Sequence, residues 1–101
     1  ATAVSGSGPA YIFLFVEALV EAAVHIGLPQ DMAQELALQT MLGSGHFAQK
    51  SDETLAELRR MVTSPDGTTE AALHKLAEGG FSELILQAVI AAYDKAKGLG
   101  D

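Results

Sequence analysis

Val62-Thr63-Ser64-Pro65-Asp66-Gly67-Thr68-Thr69 is the densest run of potential chemistry in the sequence. Ser-Pro and Asp-Gly both interrupt periodicity, so the run reads as a turn. A helix is predicted to start at Thr68. The first N–H groups of a helix lack partners inside it and lie at the positive end of its dipole. Such a start can hold a carboxylate on backbone N–H groups while a Thr hydroxyl donates or accepts beside it. Plain capping of the helix is the alternative that the residues alone leave open.

Other chemistry-bearing residues give weaker patterns. Ser5-Gly6-Ser7-Gly8 looks like a nucleophile elbow at a glance, but that pattern would need Gly where Ser5 stands, and a strand before it. No His–acid pair is spaced to activate Ser7. The segment reads as a Gly/Ser-rich loop entering a helix N-terminus, receptive to anions or simply capped by Ser7. Gly43-Ser44-Gly45-His46-Phe47-Ala48 matches G-x-G-x-x-A, yet Leu36 to Leu42 before it read as helix where a dinucleotide fingerprint needs a strand. Close helix packing over small residues is the expectation there, so the chain is read as having no nucleotide-binding unit of its own. His25, His46 and His74 fall on three different predicted helices, and no metal site is expected. Met32, Met41 and Met61 read as core filler.

Five helices must position these residues. The first is predicted from Gly8 to Ile26, with Pro9 in its first turn and Gly27 just past its end. Pro29 opens a second, to Lys50. A short third spans Glu53 to Met61, with Thr54 and Glu57 at capping-box spacing. The fourth runs from Thr68 to Ala77 and is closed by Gly79 and Gly80. The fifth runs from Phe81 to Lys97, with Ser82 as its cap and Gly98 as its stop. No strand, repeat or linker is evident, so the fold class is all-α.

The first helix bears on association. Ile12, Phe13, Leu14, Phe15 and Val16 cover a full turn without a polar break, and Glu17, Glu21 and His25 form one narrow stripe. A helix apolar on nearly every other side must be buried nearly all round. Four further helices in 101 residues are too few to wrap it, which predicts a subunit interface, most simply a two-fold one. A central core helix of a monomer is the alternative. The formal charge of −7 argues against a nucleic-acid groove and against an anionic membrane surface. Glu17, Glu21 and His25 argue against a membrane span. Absence of Cys removes disulfides and thiolate metal sites. The expectation is a soluble, cytoplasmic protein, and the opening at Ala1 suggests a piece of something longer.

Two stretches together carry a resemblance. Ala3-Val4-Ser5-Gly6-Ser7-Gly8-Pro9-Ala10-Tyr11 and Val62 to Thr69 look like the two signature stretches of pyrroline-5-carboxylate reductase, and Gly27-Leu28-Pro29 and Glu78-Gly79-Gly80-Phe81 sit where that family has them. The likeness covers essentially residues 1–101 and is to the family's C-terminal domain alone. The Rossmann domain that holds NADPH or NADH would lie in an N-terminal part absent from this chain.

The resemblance implies an all-helical domain interleaved with a partner's copy as a homodimer, with further assembly of dimers commonly into a ring of five, a decamer. It implies reduction of 1-pyrroline-5-carboxylate to L-proline by hydride transfer to the C=N carbon. Ser64, Gly67 and Thr68 would hold the substrate carboxylate, with Pro65 in the same turn. Val62 would line the pocket, and Thr69 would reach the ring nitrogen as the catalytic hydroxyl. Ser7, Gly8 and Pro9 would lie at the nicotinamide end. Asp66 stands where the family usually has Gly; Asp tolerates a left-handed turn, and its carboxylate is expected to face solvent. The rival from another class is a helical oligomerisation module with no ligand.

Overall fold

The computed structural model describes residues 1–100. A π-helical turn, Thr2–Gly6, precedes five α-helices: α1 Gly8–His25, α2 Gln30–Lys50, α3 Leu55–Met61, α4 Thr68–Glu78 and α5 Phe81–Gly98. There is no strand among the described residues, and the fold class is all-α as expected. The Ser5–Gly6 segment, expected as a loop, is instead part of the π turn, where the Ser5 hydroxyl donates to the Ala1 carbonyl oxygen at 3.0 Å. Two compact units divide the chain. One is Gly8–Asp52; the other combines Ala1–Ser7 with the chain from Glu53 onward.

The first unit is the α1–α2 hairpin. Val16 and Val20 on α1 and Ala33 and Ala37 on α2 form its core, flanked by Ala23, Leu28 and Met41. Both pairs are four residues apart, so each helix presents one ridge. The alanines keep the two backbones close, and Ala33 is fully buried. Gly27 turns the chain between the helices with a φ of 114°. Its N–H donates to the Val24 carbonyl oxygen at 3.0 Å, and the Leu28 N–H donates to that of Ala23 at 3.1 Å. Those two bonds make a Schellman stop, and Ala23 and Leu28 are the apolar pair that accompanies it. Pro29 is the N-cap of α2 rather than its first helical residue, with extended backbone.

Gly43 to Ala48 is helical throughout. The expected close packing over its glycines is not met, since a Cβ added to Gly43 or Gly45 would meet open space. On α1 only Val16 and Val20 are buried. Phe13 and Leu14 remain 63% and 67% exposed.

In the second unit the π turn packs against α5, and α4 packs against α5. Ala3, Leu58 and Ala96 are its buried hydrophobics. Thr54 caps α3 by accepting the Glu57 N–H at 3.1 Å. The capping box is only half formed, because the Glu57 carboxylate binds Arg60 instead of reaching back. At the α4–α5 corner Gly80 is left-handed, with a φ of 76°, and is itself the N-cap of α5. Ser82 therefore lies inside the helix and does not cap it as expected. The left-handed corner suits Gly, and with Gly80 as N-cap the helix begins two residues earlier than a Ser82 cap would set it.

Candidate functional site

The segment from Val62 to Thr69 is built from both ends. Val62 terminates α3 as its C-cap. Thr63 anchors the next step to the end of α3: its N–H donates to the Arg60 carbonyl oxygen at 3.0 Å, and its hydroxyl donates to that of Arg59. A four-residue turn follows, Ser64-Pro65-Asp66-Gly67, closed by the Gly67 N–H on the Ser64 carbonyl oxygen at 3.1 Å. Pro65 at the second position and a left-handed residue at the third are the pattern of a type II turn. Here the third residue is Asp66, with a φ of 60°, the only non-Gly residue with positive φ among those described.

Gly67 is the N-cap of α4, with extended backbone. A Cβ there would come within 3.2 Å of the Ser64 carbonyl oxygen. A side chain there would crowd the closed turn, and the Ser64 carbonyl would have to shift by a few tenths of an ångström to admit it. Thr68, Thr69 and Glu70 form the first helical turn, and their N–H groups precede the first intrahelical bond, which the Ala71 N–H makes to the Gly67 carbonyl oxygen at 3.2 Å. Three N–H groups at a helix start, with the positive end of the dipole behind them, can hold an anion. The N–H of Gly67 is engaged in closing the turn, so Gly67 contributes through its missing side chain. Gly67 and Thr69 are half-buried, while Val62, Ser64, Pro65, Asp66 and Thr68 are exposed.

One residue of this site was not singled out from sequence. The Glu70 carboxylate accepts the Asp66 N–H at 3.1 Å. Its signal is legible in retrospect: Glu at the third helical position is a capping-box acceptor. Gly67 offers no side chain to complete the box, and Glu70 reaches one residue further back.

The first loop falls out differently. Ser7 ends the π turn and donates its N–H to the Thr2 carbonyl oxygen at 2.8 Å. Its backbone is right-handed helical rather than the extended conformation of an N-cap. Gly8 and Pro9 open α1 and belong to the α1–α2 unit. The turn from Val62 to Thr69 is thus complete within one unit, and Gly8 and Pro9 lie in the other. A Cβ on Gly8 would meet nothing within 4 Å, so its backbone is open to close approach. His25, His46 and His74 stay on separate helices, and the described residues contain no group of three potential metal ligands. Each unit also carries an apolar groove. One of about 360 Å³ is lined by Phe13, Val16, Val20 and Met41 together with Glu17, Glu21, Gln30 and Gln34. The other, of about 440 Å³, is lined by Leu73, Leu76 and Phe81 beside Arg59.

Residues 1–99 match the family described as pyrroline-5-carboxylate reductase dimerisation. The chain belongs to this family. Among curated relatives, the pyrroline-5-carboxylate reductase of Pseudomonas aeruginosa is 48% identical over 100 residues, which is 99% of this chain and 37% of that protein. The enzyme of Pisum sativum is 47% identical, over 97% of this chain and 36% of its own length. Two solved structures agree. Pyrroline carboxylate reductase of Plasmodium falciparum, determined with NADP bound, superposes with a TM-score of 0.95 at 40% identity, covering 100% of this chain and 41% of that one. That of Coxiella burnetii gives 0.94 at 48% identity, covering 97% and 36%. The chain therefore spans somewhat over a third of the length of the reductases it matches. As a pyrroline-5-carboxylate reductase dimerisation domain it carries both glycine-containing stretches named from sequence.

Proposed function

We propose that this chain is the C-terminal dimerisation and substrate domain of a pyrroline-5-carboxylate reductase, which reduces 1-pyrroline-5-carboxylate to L-proline. The observation that carries this reading is the family match over residues 1–99. Relatives of that name are 48% identical across nearly the whole chain.

In this reading the N–H groups at the start of α4 and the Ser64 hydroxyl hold the substrate carboxylate. Gly67 leaves the anion room to approach. Thr69 reaches the ring nitrogen and hydrogen-bonds it as the C=N bond is reduced, while Val62 and Pro65 line the pocket. Ser7, Gly8 and Pro9 meet the nicotinamide end of NADPH or NADH, and the open space at Gly8 suits a planar ring. The dinucleotide supplies hydride to the C=N carbon, and most of its binding belongs to a nucleotide domain outside this chain. The chain's own contribution is placement and a hydrogen bond at nitrogen. Placement alone can lower a barrier by roughly 7–11 kcal/mol in favourable cases, so a missing acid–base dyad is no objection.

The same reading makes the domain a homodimer, with assembly up to a decamer as its largest form. Phe13, Leu14 and Phe15 on α1 stay 63%, 67% and 48% exposed in the single chain, an apolar face that a second copy would cover. Thr2–His25 is also long and apolar enough by length and composition to cross a bilayer. Glu17 and Glu21 within it favour a protein partner over lipid, and we place the protein in the cytoplasm.

The test uses the full-length protein with 1-pyrroline-5-carboxylate and each nicotinamide cofactor. Turnover to proline is expected from the full protein and none above background from residues 1–101 alone. L-Proline titrated into the full protein should shift NMR signals of residues 62–69. Absence of both turnover and shifts would leave an oligomerisation module without ligand.

A further inference from the structure

We propose that Glu70 is a positioning residue for substrate, acting by holding Asp66 in the left-handed conformation on which the carboxylate-binding turn depends. This rests on the functional reading above and deepens it.

Two hydrogen bonds fix the turn. One closes it, from the Gly67 N–H to the Ser64 carbonyl oxygen at 3.1 Å. The other ties its corner to the first turn of α4, from the Asp66 N–H to the Glu70 carboxylate at 3.1 Å. The corner is where support is needed. Asp66 has a φ of 60°, a region that L-residues other than Gly enter only at a cost in energy. Each residue around it has a reason to be where it is. Pro65 presets the second position of the turn. Gly67 spares the Ser64 carbonyl a tight contact with a Cβ. Only the corner is held by a side chain from outside the turn. Glu70 sits at the third position of α4, where a carboxylate is favoured by the dipole, and it reaches past Gly67, which has no side chain to share a capping box. Releasing Asp66 would let the corner leave the left-handed region, and Ser64 would then swing away from the N–H groups of Thr68 and Thr69. These groups bind the same anion before and during reaction, so the loss falls on binding.

The test is a set of variants of the full-length protein, with 1-pyrroline-5-carboxylate as the varied substrate at saturating NADPH. Glu70→Ala should raise KM about five-fold with kcat within two-fold. Glu70→Gln keeps an oxygen that can accept the Asp66 N–H, and its KM should stay within two-fold of the unsubstituted protein. Adding Asp66→Gly to Glu70→Ala should bring KM back to that of Asp66→Gly alone, because Gly takes the left-handed conformation unsupported. Amide exchange at residue 66 should accelerate in Glu70→Ala and not in Glu70→Gln. A KM unchanged in Glu70→Ala, a Glu70→Gln protein that behaves like Glu70→Ala, or no rescue by Asp66→Gly overturns the role of Glu70 alone. No turnover by the unsubstituted protein overturns the functional reading, and the substrate role of Glu70 with it, whatever the exchange rates.

Discussion

The Ser64 carbonyl oxygen faces Gly67 twice over: it accepts the Gly67 N–H at 3.1 Å, and it lies 3.2 Å from where a Cβ on Gly67 would stand. The bond that closes the turn therefore crowds any side chain at its last residue. Gly67 has a φ of −92°, which any residue can adopt, so the restriction is contact and not backbone strain. Gly67→Ala should push the carbonyl aside, lower stability by about 1–2 kcal/mol, and raise KM for the pyrroline substrate about ten-fold by misplacing Ser64. Calorimetry and steady-state kinetics on one preparation check both. A KM within two-fold of wild type would show that the turn absorbs the methyl group harmlessly.

Thr69→Ala separates a substrate role from a capping role. A hydrogen bond to a charged or polarised group is worth roughly 1.5–3 kcal/mol. If Thr69 bonds the ring nitrogen in the transition state, kcat/KM falls by about one to two powers of ten. The N-cap of α4 is Gly67, and Thr69 lies inside the helix. Its loss should therefore leave the melting temperature nearly unchanged. A normal kcat/KM in the variant would refute the assignment.

Association can be read directly. Light scattering at micromolar concentration should return at least twice the 10.5 kDa chain mass for residues 1–101. Phe13→Glu places a charge on an α1 side chain that is 63% exposed in the single chain. It should dissociate the dimer, because burying an unpaired carboxylate in an apolar interface is strongly unfavourable. A fully helical, monodisperse monomer from the unsubstituted chain contradicts the dimer.

Glu57 and Arg60 give a pH signature on α3. The hydrogen bond from Arg60 holds the Glu57 carboxyl below its ordinary range, and Glu57 in turn raises Arg60. A carboxyl whose pKa is lower in the folded state adds stability above its unfolded pKa, and that stability is lost as pH falls through the folded one. Glu57→Gln should thus melt slightly below wild type at pH 7, and the gap should close in acid. Arg60 is exposed and Glu57 only half-buried, so the gap should also shrink in high salt. A gap that persists at low pH would assign the effect to packing.

Helix type and order were legible in the sequence, because Pro9, Gly27, Pro29, Gly79 and Gly80 punctuate strong 3.6-residue patterns. The turn from Val62 to Thr69 was legible as well, since Ser-Pro and Asp-Gly carry their turn chemistry with them. Two of the misreadings share a cause. Ser7 and Ser82 have cap-forming side chains, but the backbone around each is helical for reasons outside propensity: a π turn before Ser7 and a left-handed Gly80 before Ser82. Gly43 and Gly45 suggested close packing that the single chain does not supply. Glu70 escaped notice because a capping box is sought from a Ser or Thr cap, and Gly67 at that place offers none.

The core has one more consequence. Among the described residues, four of the seven buried hydrophobics are alanines, and the largest of the seven is Leu58. Such a core offsets little of the roughly 1–2 kcal/mol of backbone entropy lost per ordered residue. In the proposed dimer the remaining stabilisation enters through mass action, so melting temperature becomes a function of how much protein is in the tube. Each ten-fold dilution should remove about 1.4 kcal/mol from the free energy of a dimer that unfolds as it dissociates. Water added to the sample then acts as a denaturant, and a cell that makes less of the protein also makes it less stable.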